Sequence, residues 1–284
     1  MHAFEQVTEW PQVDRVAAAI VAADGSVERF GPTDEPFALA SISKLFTAMA
    51  VLVAHEEGTL PLDEIVTPGT SATDEGATVA DLLAHSGGIA PDEPAPMTLP
   101  RTRRIYSTAA YDMLADRLAE RAGIEFSTYL HEAVAEPLAL TSTRLDGSAG
   151  AGMHASVDDL VRLAAAWTTP LLVDRTTLDR ATRPHLPELA GVLPGFGRQD
   201  PNPWGLGPEI RGHKQPHWTA PQNSPGTYGH FGQTGTMLWI DPEVDITAIV
   251  LTDRPFGPWA ADTWPVFSAA VLAGHGNGPN DPGG

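Results

Sequence analysis

The chain contains no cysteine, which excludes disulfides, thiolate nucleophiles and cysteine metal sites and leaves the redox compartment open. Lysine is almost missing too. Only Lys44 and Lys214 occur, and arginine supplies the rest of the positive charge. That charge is itself scarce: 17 lysines and arginines stand against 36 acidic residues, for a formal net charge of −19. Nucleic acids and anionic membranes both call for basic patches, so neither is expected as a partner. The acidic residues are scattered rather than run together, which reads as a solvated surface. Long apolar runs are also lacking; the most apolar early stretch, 16–21, is too short to cross a bilayer. Residues 1–10 show no basic region followed by an apolar run, so no secretory signal and a cytoplasmic location are expected.

What remains is a chain of 284 residues, 42% hydrophobic, long enough for one substantial core. Residues 16–21 and 27–30 read as a hairpin about the Asp24-Gly25 turn, and 236–240 and 246–251 read as a second hairpin. Helical patterns lie between them. One runs from Ser41 to about Glu57, where Gly58 stops it; one runs from Val79 to His85 behind a Thr78 cap. Others cover about 107–122 (stopped by Gly123), 127–135, 157–167 and 176–181, and a last helix covers 260–273. Residues 89–105 and 184–229 are irregular and rich in proline and glycine, and the second span is suited to forming a cleft wall. Strands at both ends with helices between them imply one antiparallel sheet made from both termini. The expected organisation is a single domain over 1–273, with sheet parts at about 12–45 and 226–273, a helical insert at about 46–225, and a disordered Gly/Pro-rich tail at 274–284.

The chemistry starts at Ser41-Ile42-Ser43-Lys44. Ile42, Leu45, Phe46 and Met49 follow a helical period, so the Ser41 hydroxyl and the Lys44 amine share a face one turn apart. A buried lysine can lose its proton near neutral pH and serve as base to a serine nucleophile; arginine cannot. A helix start adds free N–H groups suited to an oxyanion. The plainer reading of Ser41 is an ordinary helix cap. Two further segments carry polar chemistry: Tyr106-Ser107-Thr108, and the glycine-rich run Tyr228–Gly235, which contains His230, Gly232 and Gln233. Tyr106 can act as phenolate or proton relay, or be a core tyrosine. His230 can orient that tyrosine, or be an incidental surface histidine. His213 and His217 make a poor metal pair, because Pro216 breaks the helix between them and no third ligand is evident.

Taken together and in order, Ser41-Ile42-Ser43-Lys44, Tyr106-Ser107-Thr108 and His230-Phe231-Gly232 resemble the three motifs of class C β-lactamase-like serine hydrolases, a group of penicillin-recognising enzymes, DD-peptidases and esterases. Residues 81–88, 156–160 and 204–207 resemble supporting segments, and the likeness covers about 12–273. The resemblance implies an α/β (α+β) fold with no metal or organic cofactor. It implies Ser41 as nucleophile, Lys44 as its base, and Tyr106 as the group that helps deprotonate Ser41 and protonates the leaving group. It implies an oxyanion hole from the Ser41 and Gln233 N–H groups, with Thr108 and Gly232 completing the substrate-binding set. Two departures matter. Thr108 stands where the family usually has asparagine, and His230 where β-lactamases usually have lysine, which removes a fixed positive charge that would attract a substrate carboxylate. Both favour a serine esterase acting on a small-molecule ester, with His230 supporting Tyr106. The alternatives are a β-lactamase or DD-peptidase-like amidase, an acyltransferase, or a non-catalytic ligand-binding relative.

Overall fold

The computed structural model describes residues 3–69 and 75–275. A short helix, α1 (Ala3–Val7), precedes strands β1 (Val16–Val21) and β2 (Val27–Phe30), which form the first hairpin. A two-residue strand, β3 (Phe37–Ala38), leads through a 3-10 turn at Ala40–Ile42 into α2 (Ser43–Glu56). Next come β4 (Ile65–Thr67), β5 (Ala77–Thr78) and α3 (Val79–Leu83). Thr78 caps α3 in a reciprocal capping box with Asp81, which ties the strand end to the helix start. After a long loop, α4 (Ala109–Ala122) ends where Gly123 takes a left-handed conformation. The chain continues through α5 (Phe126–Leu130), a π-helical turn at His131–Ala135, and strands β6 (Arg144–Leu145) and β7 (Met153–Ala155). Helix α6 (Val157–Thr168) is capped by Ser156, and α7 (Arg175–Ala181) follows.

The irregular span after α7 holds a small hairpin, β8 (Gly191–Leu193) and β9 (Gly197–Gln199), and a short strand, β10 (Glu209–Ile210). Strands β11 (Tyr228–Gly232), β12 (Thr236–Asp241) and β13 (Ile246–Thr252) then run back and forth, and α8 (Pro258–His275) closes the described chain. Residue Gly274, read from sequence as the start of a tail, is therefore helical, while 276–284 lie outside the described residues.

The main sheet is antiparallel throughout, in the order β10-β11-β12-β13-β1-β2. The two ends of the chain meet where β1 pairs with β13, Val16 opposite Thr252 and Val21 opposite Thr247. Both faces are covered. In β1, Ala17 and Ala19 join the core on the α2 and α6 side, while Ala18 and Ile20 join the core under α1 and α8. In β12 and β13 the same alternation sends Leu238 and Ile249 one way and Trp239 and Val250 the other. Burial on two faces explains why these strands read as nearly continuous apolar runs. The sheet reaches further back than the sequence indicates, since β10 lies inside the span assigned to the helical insert. Among the described residues no helix is long and apolar enough to cross a membrane.

Candidate active site

The 3-10 turn bearing Ser41 packs against β11 and β12. Ala40, just before Ser41, has a positive φ of 46°. That costs an alanine on the order of 1 kcal/mol, so the surroundings must hold it there. They do so through several bonds. Thr236 donates to the Leu39 carbonyl at 3.0 Å, Thr234 to the Ala38 carbonyl at 2.7 Å, and Ser43 to the Ala40 carbonyl at 2.5 Å. Gly232 fits only as glycine, since a Cβ there would lie 2.2 Å from the Leu39 carbonyl oxygen. The end of β11 is thus pressed against the segment that delivers Ser41.

From that turn α2 carries Lys44 into the core, where the side chain is fully buried. Its Nζ donates to the Gly150 carbonyl at 2.8 Å and to the Thr108 hydroxyl at 3.2 Å, and reaches the Ser41 Oγ at 3.5 Å. The last distance is long for a hydrogen bond. Burial lowers the Lys44 pKa to about 7, against the opposing pull of the Asp112 and Asp92 charges. The amine is therefore free to take up or release a proton at neutral pH. Gly150 is not legible as a partner from sequence, because it contributes only its carbonyl; a Cβ on it would meet Thr108 and Tyr111.

Tyr106 lies over the amine, with Nζ 4.8 Å from its ring centre. Burial raises the Tyr106 pKa far above the usual phenol range, partly offset by the Ser41 hydroxyl beside it. The phenol thus keeps its proton at neutral pH, which favours a relay over a phenolate. Ser107, next along, caps α4 by accepting from the Ala110 N–H at 3.0 Å. Thr108 makes no cap bond of its own and turns its hydroxyl to Lys44.

His230 Nδ1 donates to the Phe231 carbonyl at 2.7 Å, which leaves Nε2 as the acceptor, and that Nε2 has no hydrogen-bond partner. The ring packs 5.9 Å from the Tyr106 ring without bonding to its hydroxyl. The contact through which His230 can support Tyr106 is therefore ring packing. Burial and the neighbouring Lys44 charge pull the His230 pKa down to about 3, so it does not replace the missing lysine charge. Sequence reasoning gave His85 no role, yet it packs on the other side of Tyr106 at 4.6 Å, fixed by the Ser107 N–H donating to its Nδ1 at 3.2 Å.

Ser41, Tyr106, His230 and Gln233 line one narrow cleft of about 330 Å³ counting its open mouth. Its apolar walls include Leu193 from the β8–β9 hairpin, Trp204 and Phe231. The 184–229 span thus does contribute a wall. The Ser41 N–H belongs to the first turn of a helix, where intrahelical acceptors are lacking. Gln233 follows the end of β11, and its carbonyl is held by the Phe256 N–H at 2.9 Å. Trp218 and Trp239 belong to the same core cluster as Trp204 and Phe231 but do not line the cleft. A larger groove, about 1470 Å³ counted in the same way, lies elsewhere beside Trp167 and Arg175 and holds none of Ser41, Lys44, Tyr106 or His230.

Behind Trp204 sits a second buried set of charges. Glu209, which also lines the cleft, accepts from Lys214, from the Trp218 indole and, at 3.0 Å, from His217 Nε2. Lys214 donates further to the carbonyls of Ile210 at 2.7 Å and Pro203 at 2.9 Å. His217 is therefore a partner of a carboxylate. Among the described residues no group of three or more histidine, cysteine or acidic side chains is arranged to hold a metal.

The β-lactamase family model matches residues 11–272. Among solved structures, a β-lactamase (Mb2281c) from Mycobacterium bovis is 45% identical with a TM-score of 0.91, over 96% of this chain and 99% of that one. Simvastatin synthase from Aspergillus terreus, in a mutant form, shares the fold at 18% identity and a TM-score of 0.81, over 97% and 94% of the two chains. EstCE1, described as a hydrolase with promiscuous acyltransferase activity, does so at 18% and 0.76, over 95% and 96%. No curated protein sequence matches. A match across nearly the whole chain, joined to a relative at 45% identity, establishes that this chain belongs to the β-lactamase family of serine hydrolase folds.

Proposed function

We propose that the protein is a serine hydrolase that cleaves small carboxylic esters through an acyl-enzyme on Ser41. The observation that carries this reading is the fully buried Lys44 amine 3.5 Å from the Ser41 hydroxyl, where burial lowers its pKa to about 7. In the proposed reaction the neutral amine takes the Ser41 proton as Oγ bonds to the ester carbon. The N–H groups of Ser41 and Gln233 hold the oxyanion. Tyr106 passes a proton to the departing alcohol as its C–O bond breaks. Water then enters by the reverse proton path and releases the acid. Thr108 and the Gly150 carbonyl aim the amine. Gly232 permits the close approach on which the geometry depends.

The leaning towards esters rests on the charge of the cleft. Among its lining residues there is no lysine or arginine, and His230 is held neutral. A substrate carboxylate, as on a β-lactam, finds no cation there and meets the Glu209 wall instead. The test is turnover of a chromogenic acetate ester, with intact-mass detection of an acetyl group. Wild type is expected to accumulate or turn over a Ser41 adduct, and Ser41→Ala to lose both. Activity retained by Ser41→Ala at the wild-type level overturns the assignment.

A second reading is kept because one relative, 45% identical, is described as a β-lactamase. Hydrolysis of a chromogenic cephalosporin faster than of the acetate ester selects it. Transfer of the acyl group to an added alcohol in preference to water selects the acyltransferase reading, which the description of EstCE1 brings to mind. Failure of a fluorophosphonate to label Ser41 selects the non-catalytic reading.

A further inference from the structure

One carboxylate that the proposed mechanism leaves unused stands directly behind its base. Asp112 is on α4, one turn after Thr108, and therefore on the same helix face as that Lys44 partner. Its Oδ1 accepts from the Ser148 hydroxyl at 2.7 Å and from the Gly150 N–H at 3.2 Å. The Ser148 hydroxyl oxygen accepts from the same Gly150 N–H at 3.2 Å. The turn ending at Gly150 is thereby pinned to the first turn of α4, and Gly150 presents its carbonyl to Lys44 at 2.8 Å. The neighbouring Ala149 carbonyl accepts from Thr47, one turn along α2 from Lys44, at 2.7 Å. The outer side of Asp112 opens on a cavity of about 390 Å³ that also holds Asp116 and Glu125. Asp112 is half-buried: wet on one side, and bound to the lysine's support on the other.

We infer that Asp112 is a positioning residue for Lys44, fixing the carbonyl that aims the amine and setting a negative charge behind it. This rests on the reading of Lys44 as the base. The groups facing the amine come from several elements. Thr108, Tyr111 and Asp112 come from α4 and its start, with the Tyr111 ring centre 5.4 Å from Nζ. Tyr106, His85 and Asp92 come from the loops before α4, His230 from β11, and the Gly150 carbonyl from the pinned turn. Burial keeps both histidines neutral and Tyr106 protonated through the neutral range. The negative charges left to act on Lys44 are Asp112 and, more weakly, Asp92, and both raise its proton affinity.

The sign follows. Activity needs the neutral amine, so kcat/KM rises as pH passes upward through the Lys44 pKa. Asp112→Asn keeps an oxygen for Ser148 and Gly150 but removes the charge, so the amine releases its proton more readily. The acidic limb is expected to move down by roughly half to one pH unit. Ser148→Ala removes one of the bonds to Asp112 and keeps the charge, so its limb is expected to stay in place while stability falls. Because the chain has only two lysines, lysine labelled with 13C at Cε gives two signals, and the one missing from Lys44→Met belongs to Lys44. That signal is expected to titrate lower in Asp112→Asn by the same amount as the kinetic limb. Asp112→Ser serves as the second uncharged variant if the first fails to fold.

A limb and a signal that stay put in a folded uncharged variant overturn the inference, as does a loss of kcat with no movement of the limb. Both outcomes leave the hydrolase reading intact, since wild type still acylates Ser41. A wild type that forms no Ser41 adduct overturns the hydrolase reading itself, and the inference with it.

Discussion

Replacing Lys44 by methionine separates the lysine's charge from its bulk. The two side chains have similar length and apolar stem, but methionine carries no proton. Folding lowers the Lys44 pKa from 10.5 to about 7 through burial. At 1.36 kcal/mol per unit that is a penalty of about 5 kcal/mol on the charged form. In the unfolded chain the amine stays protonated up to pH 10.5, whereas in the folded protein it does so only below about 7. Between those limits the unfolded state binds more protons, so wild-type stability rises with pH. The penalty is complete below the folded pKa and has gone above the unfolded one. The Lys44→Met protein never carries it. Its own defect is the loss of the donors to the Gly150 carbonyl and the Thr108 hydroxyl, about 1–3 kcal/mol, and that cost does not change with pH. The stability advantage of Lys44→Met over wild type is therefore expected to shrink by about 2–3 kcal/mol between pH 6 and pH 9. The assay is urea unfolding of both proteins at several pH values across that range, with the slopes compared to check that both unfold in the same way. Burial, the larger cause of their lowered pKa values, still keeps His85 and His230 neutral above pH 6 when the Lys44 charge is gone, so they do not enter the difference. A difference that stays constant to within about 0.5 kcal/mol refutes the reasoning, because the Lys44 amine would then hold its proton as firmly in the fold as in water. Activity is expected to be lost in Lys44→Met at every pH.

Two other substitutions probe the supports of the cleft. Gly232→Ala places a methyl 2.2 Å from the Leu39 carbonyl oxygen and 2.4 Å from the Thr236 hydroxyl. Backbone must move, so a loss of about 1–3 kcal/mol in urea unfolding is expected, with a fall of acylation rate of about a hundredfold as Ser41 and Gln233 shift. Stability and rate both at wild-type level would show that the close approach is dispensable. Glu209→Gln leaves the buried Lys214 charge without its carboxylate and sets an amide NH₂ against donors, for an expected loss of about 3–5 kcal/mol at neutral pH. Burial pushes the Glu209 pKa up, but Lys214 and His217 more than offset this and hold it at about 2. The carboxylate's contribution is therefore complete above the ordinary glutamate range and is lost as pH falls towards 2, so the gap between wild type and Glu209→Gln should close in acid. A gap that persists unchanged at pH 3 contradicts this account.

The parts of the fold that are legible in the sequence are those where local chemistry and tertiary packing ask for the same residue. Thr78, Ser156 and Gly123 mark helix ends because each satisfies or terminates a backbone turn by itself. The two hairpins are legible because their strands are apolar and their turns polar. Strand β11 escaped that reading: Tyr228-Gly229-His230-Phe231-Gly232 is buried on both faces, so it shows no alternation, and its two glycines suggest a loop. Strand β10 has two residues, too few for any pattern. At the site, Ser41, Lys44 and Tyr106 can be named because their chemistry resides in side chains. Gly150 cannot, because what it offers Lys44 is a carbonyl that every residue possesses. Asp112 is half legible: its spacing from Thr108 puts it on the right helix face, but only the fold brings the turn ending at Gly150 against it.

The scarcity of lysine acquires a physical meaning from the two places where it is kept. Both lysines are buried, Lys44 at 0% and Lys214 at 2% exposure, while exposed ion pairs such as Arg15–Glu35 and Arg198–Asp200 use arginine. At position 44 the proposed reaction needs an amine that can be neutral, and a guanidinium cannot become so within the protein's pH range. At position 214 the need is different. One compact cation must reach the Glu209 carboxylate and the carbonyls of Pro203 and Ile210 at once. A tetrahedral ammonium points its donors at three such acceptors, whereas a flat guanidinium holds its donors in one plane. Trp204 lies between the two sites, its ring 5.7 Å from Lys214 Nζ on one side and packed with His230 and Tyr106 on the other. The Lys214 cluster thus fixes the wall against which the Ser41 cleft is built. Under the proposed mechanism a charge removed from either lysine is felt by the same cleft, at Lys44 in the proton transfer and at Lys214 in the shape of the pocket.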